Sequence, residues 1–90
     1  MCGGWTNEQP ADKTCQLLLD KHRTEICQKY GTQDQPMTAI SYKTQVVAGT
    51  NYMIHAEMQN GKHVDIKIYQ PLPSAQVSAE VLEVKDHQIV

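Results

Sequence analysis

Four side chains able to bind a metal or move a proton lie close together in this 90-residue chain: His55, Glu57, His63 and Asp65. Two imidazoles and two carboxylates are, by type, a ligand set and an acid–base set. The same four on the open face of a sheet are ordinary cross-strand pairs, each contributing about 0.2–1 kcal/mol. An open face excludes no water, so the pairing reading is preferred, and no metal or cofactor is expected. Cys15 and His22 suggest a thiolate–imidazole pair, but on one helix they stand about 10 Å apart at 1.5 Å rise per residue. That exceeds a hydrogen bond, so both are read as lining the core side of a helix. Cys2, Cys15 and Cys27 make an odd set with no Cys-x-x-Cys pair. Such a set predicts free thiols rather than a disulfide framework or a structural zinc site. The chain is not read as an enzyme.

The elements that must position these residues follow from periodicity. Residues 1–9, small and polar with a Gly pair, read as an extended, mobile arm. Pro10 suits the first turn of a helix. Between Asp12 and Tyr30 the residues Cys15, Leu18, Leu19, His22, Ile26 and Tyr30 recur in steps of three and four, one face of a helix, and Gly31 is placed to end it. After Pro36 the period becomes two. Ile40, Tyr42, Thr44 and Val46 share one face of a strand, and Ala48-Gly49-Thr50 breaks it. Tyr52, Ile54, Ala56 and Met58 form the next, then Val64, Ile66 and Ile68. Pro71-Leu72-Pro73-Ser74 is a second break. A weaker strand covers about Glu80–Val84, and the last six residues read as loose.

Parity sets the register of the Asn60-Gly61 hairpin. A two-residue loop pairing Gln59 with Lys62 puts Ile54 opposite Lys67, with the apolar faces on opposite sides, which a half-buried sheet does not tolerate. Pairing Met58 with Lys62 instead brings Ala56 to Val64, Ile54 to Ile66 and Tyr52 to Ile68. Gly61 then supplies the left-handed bulge residue of a three-residue loop. Pairing Met58 with Val64 keeps the same faces and stays open. In the preferred register His55 faces Asp65 and Glu57 faces His63. One helix on four to five antiparallel strands is an α+β architecture, with the helix on the apolar face, and residues 1–90 read as one domain.

Composition excludes several roles. A net charge of −2 argues against nucleic acid. No apolar run is long enough to span a membrane. The start Met1-Cys2-Gly3-Gly4-Trp5-Thr6 lacks the basic region and apolar core of a signal peptide, so a cytoplasmic protein is expected. Three tips remain: Gly3-Gly4 in the arm, Gln45-Val46-Val47-Ala48-Gly49 closing the first strand, and Leu72-Pro73 at the second break. Turn chemistry alone explains Gly3 or Leu72-Pro73. It does not explain two consecutive valines at a turn, at least one of which faces outward and suggests a contact surface. In a meander the first and third turns lie at one end of the sheet, within reach of the arm, and together form a narrow wedge.

These residues resemble the stefins, the intracellular branch of the cystatins, from Gly3 through Leu72-Pro73. The most specific stretch is Ile40–Tyr52, within which Gln45-Val46-Val47-Ala48-Gly49 matches the family's Gln-x-Val-x-Gly motif. The Met1-Cys2-Gly3-Gly4 start is also stefin-like, and the Pro-Trp of the secreted branch is absent. The resemblance implies a reversible, tight-binding inhibitor of papain-like cysteine proteases of the cathepsin class. Gly3 and Gly4 would let the arm pass close to the catalytic cysteine, directing Met1 and Cys2 into the non-primed subsites. Gln45 to Gly49 would sit over the catalytic residues, with Val47 as an apolar contact. Leu72 and Pro73 would cover the primed side. It also implies a monomer, with exchange of the N-terminal half through the Gln45–Gly49 turn as a route to a dimer. A non-inhibitory binding module on the same scaffold is the alternative. The sequence departs from the family in its tail, where no Asp-Glu-Leu-Thr-like segment is legible, and at Trp5, which either adds contact area or folds back on the domain.

Overall fold

The computed structural model describes residues 4–75 and 77–88. In chain order they form β1 (Gln9–Pro10), α1 (Lys13–Lys21), α2 (Arg23–Tyr30), β2 (Met37–Val47), β3 (Gly49–Met58), β4 (His63–Gln70), a short 3₁₀ turn (Pro73–Ala75) and β5 (Glu80–Asp86). The strands make one antiparallel five-stranded sheet in the order β1-β2-β3-β4-β5. The helices cover one face, as expected for α+β. Cys15, Leu19, Ile26 and Cys27 from the helical layer meet Met37, Ile54, Ala56, Met58, Val64, Ile66, Ile68 and Val81 from the sheet.

Pro10 is not in the first turn of a helix. It pairs with Ser41 in β1, where a missing donor is tolerated on an edge strand. The helix starts at Lys13, three residues later, capped by Asp12, whose carboxylate accepts the Cys15 backbone N–H at 3.0 Å. Nor is the arm free to residue 9. Thr6 N–H donates to the Thr44 carbonyl at 2.8 Å, and Ala11 N–H to that of Ile40 at 3.0 Å. The edge of β2 offers unpaired groups, and the polar arm satisfies them.

The expected single helix is interrupted at His22 (φ −108°, ψ 17°). The Leu18 carbonyl there takes both the His22 backbone N–H at 3.2 Å and the ring Nδ1 at 2.9 Å. A side chain entering the helical ladder breaks its regularity. Gly31 ends α2 at φ 90°, as its position predicts. The Gln16 amide ties α1 to the sheet, donating to Met37 O at 3.0 Å and accepting from Ala39 N at 2.8 Å.

In β2 the register shifts between Ala39 and Ser41. The bulge turns Ile40 outward and leaves it exposed, while Met37 and Ala39 take the core-side positions opposite Met58 and Ala56. A simple period-two reading cannot see an inserted residue. The β3–β4 register is the one parity selects, with Ile54 opposite Ile66 and Ala56 opposite Val64. Gly61 sits at φ 88° and Met58 N–H donates to Lys62 O at 2.8 Å. The last strand runs on to Asp86, and His87 N–H donates to His63 O at 3.0 Å, so the tail is held further than its sequence suggests.

Candidate functional site

At one end of the sheet the β2–β3 turn meets the chain leaving β4. Val47 is directly opposite Gly49, leaving Ala48 alone at the tip. Gly49 is buried at φ 116°, and a Cβ there would come within 2.5 Å of the Gln70 carbonyl oxygen and 3.0 Å of Pro71 Cα. Both the left-handed backbone and the close approach require glycine. The Tyr69 hydroxyl donates to the Ala48 carbonyl and closes the turn against β4. At its base Asn51 donates to the Gln45 side-chain oxygen at 3.0 Å, across the register pair that joins them.

The apolar groups at this end point outward. Val46 is 64% exposed and Leu72 50% exposed, while Val47 is half-buried and Ala48 and Pro73 are exposed. Of the two consecutive valines, Val46 is the one turned to solvent. Beyond the buried Pro71, Leu72 O accepts from Ala75 N–H at 2.9 Å, which folds the connection into its 3₁₀ turn. The arm runs antiparallel to β2, so from Thr6 the chain heads towards this same end. Gly4 is exposed with open space around it. Met1, Cys2 and Gly3 lie outside the described residues.

The other candidates resolve differently. Cys15 and His22 do not pair. The thiol donates to Asp12 O at 3.3 Å, and burial, the main cause, pushes its pKa above the ordinary value. Cys15 and Cys27 are buried free thiols. His55 and Glu57 do stand opposite Asp65 and His63, but their side-chain contacts run otherwise. His55 Nε2 and His63 Nδ1 share a 2.8 Å hydrogen bond, and His87 Nδ1 donates to Asp65 at 2.8 Å. The His87 ring stacks on His55 with centroids 3.7 Å apart. Glu57 reaches His63 Nε2 only at 3.9 Å. Burial first, then the neighbouring His87 and His63, lowers the His55 pKa below its usual value. His55, Asp65 and His87 line a shallow depression of about 230 Å³ together with Glu8 and Ser41. Among the described residues no three His, Cys, Asp or Glu side chains are arranged to hold a metal ion. Among them also, no helix is long and apolar enough to cross a membrane. Sequence reasoning missed the part played by His87, because the tail carries no periodicity to place it.

The alignment of this chain with known proteins covers nearly all of it. The family profile described as the Cystatin domain matches residues 3–89. Cystatin-A2 of Dictyostelium discoideum is 36% identical over 89 residues, 97% of this chain and 93% of that one. Cystatin-B of Pan troglodytes is 36% identical over 73 residues, 81% of this chain and 74% of that one. Cystatin-A of Homo sapiens is 35% identical over 71 residues, 79% of this chain and 72% of that one. A helix-covered antiparallel meander, a glycine-locked first hairpin and this span of similarity lead to one assignment: the chain belongs to the cystatin family.

Proposed function

We propose that the chain is a reversible, tight-binding inhibitor of papain-like cysteine proteases of the cathepsin class, acting in the cytoplasm as a monomer, and that it is not an enzyme. Three segments form the wedge: the arm at Gly3-Gly4, the turn Gln45-Val46-Val47-Ala48-Gly49, and Leu72-Pro73. Exposed Val46 and Leu72 supply apolar area to an enclosed cleft, where burying such surface is favourable by about 25 cal/mol per Å². Gly4 leaves the backbone bare for close approach. The turn offers no extended peptide for attack by the nucleophile, so inhibition is by occlusion and the inhibitor leaves intact.

The observation that carries this reading is the locking of the first turn against the end of β4, at an end of the sheet where Val46 and Leu72 are both exposed. A preorganised tip binds with less ordering cost than a loose one. The test is titration of the chain into active papain, following hydrolysis of a small peptide substrate. We expect stoichiometric, reversible loss of activity, with the chain recovered uncleaved. Full activity under a large excess of folded chain rejects inhibition and leaves a binding module. Gly3→Arg should weaken inhibition without lowering the melting temperature; unchanged affinity would remove the arm from the wedge.

A further inference from the structure

Trp5 is the one tryptophan in the chain. It is half-buried, and two lysine ammonium groups lie over its ring. Lys43 Nζ stands 5.8 Å from the indole centroid and Lys67 Nζ 5.9 Å. Lys43 belongs to β2 and Lys67 to β4, and Met53 of β3 is the register partner of both. Neighbours Tyr42, Ile66 and Ile68 face the core, so this row lies on the sheet face away from the helices. The aromatic face attracts cations within about 6 Å, and two lysines on strands either side of β3 fix the ring across three strands.

The residues that follow are held as well. Thr6 N–H donates to Thr44 O at 2.8 Å and its hydroxyl accepts the Thr44 N–H at 3.0 Å. The Ser41 hydroxyl donates to the Glu8 carboxylate, and Gln9 and Pro10 pair in β1. The chain from Trp5 to Pro10 is thus fastened at successive points, whereas Gly4 has open space around it.

We infer that Trp5 is a positioning residue: clamped by Lys43 and Lys67, it fixes the direction in which the arm leaves the sheet and makes Gly4 its pivot. The inference rests on the inhibitor reading above. An arm anchored at its root has less freedom to lose on entering a cleft, and that advantage appears in the lifetime of the complex. Trp5 acts through the lysines, without itself touching the protease.

The test compares Trp5→Ala, the double variant Lys43→Ala/Lys67→Ala, and the double variant Lys43→Arg/Lys67→Arg. The emission of the single tryptophan is read in the free protein, and association and dissociation rates are read with papain. In Lys43→Ala/Lys67→Ala the emission should shift to the red. Dissociation should become about tenfold faster in both that variant and Trp5→Ala, with association little changed. The arginine pair keeps two cations over the ring and should restore both emission and dissociation rate. An unmoved emission in Lys43→Ala/Lys67→Ala overturns the clamp. Faster dissociation in Trp5→Ala alone also overturns it, by making Trp5 a direct protease contact. A wild-type chain that does not inhibit papain sinks the inhibitor reading before any variant is made; the emission shift then judges the clamp by itself.

Discussion

Gly49 carries two demands at once, a positive φ and a carbonyl 2.5 Å from where a side chain would begin. Gly49→Ala should therefore cost about 1–3 kcal/mol of stability, the usual range for backbone strain of this kind. Urea unfolding measures it, and a loss under 0.5 kcal/mol would mean that the turn relaxes freely. Val47→Asp probes the tip in another way. The residue is half-buried at the end of the hairpin, and a protease cleft closing on the new carboxylate would bury it unpaired. Papain inhibition should fall by at least about tenfold, since unpaired buried charges cost several kcal/mol, while the melting temperature stays close to wild type. Unaltered inhibition would take the first hairpin out of the wedge. The motif containing both residues was visible in the sequence. The reason for its glycine was not, because Gln70 and Pro71 are some twenty positions away and only the sheet brings them near. That Val46 rather than Val47 turns outward likewise depends on where the strand pairing stops.

At the level of elements, the ends of β3, β4 and β5 are joined by stacked and hydrogen-bonded imidazoles. His55 packs against His87 and bonds His63, with Asp65 and Glu8 the nearby carboxylates. Its pKa is lowered in the folded chain, so the unfolded chain takes up its proton first. The stabilising contribution of neutral His55 is complete above its unfolded pKa near 6.5. It is lost as pH falls through the lower folded value. Urea midpoints measured from pH 8 downward should thus decline below about 6.5, and His55→Gln should flatten that decline. An equally steep decline in the variant would place the cause elsewhere. The strands themselves were legible from alternation, and the β3–β4 register from parity, because a one-residue slip exposes a whole apolar face. The bulge at Ile40 and the break at His22 were not, since each sits where a hydrogen bond that the periodicity does not show is made: the carbonyl of Ile40 taken by Ala11, and that of Leu18 by an imidazole. The docking of the arm was hidden for a related reason. Most of its residues are polar, and what holds them is the unpaired edge of β2, with the lysines over Trp5.

For the molecule as a whole, the helical layer and the sheet share one core, and two thiols sit at its seam. Cys15 is 0% and Cys27 1% exposed, on opposite sides of the break at His22. A reagent that alkylates sulfur cannot reach either one while the layers are together. Each cysteine is therefore a clock for separation of the layers, one timing α1 over β2 and the other timing α2. Labelling resolved peptide by peptide should give equal rates if the helices lift as one body. If the interruption at His22 lets one half open alone, Cys15 and Cys27 will keep different time.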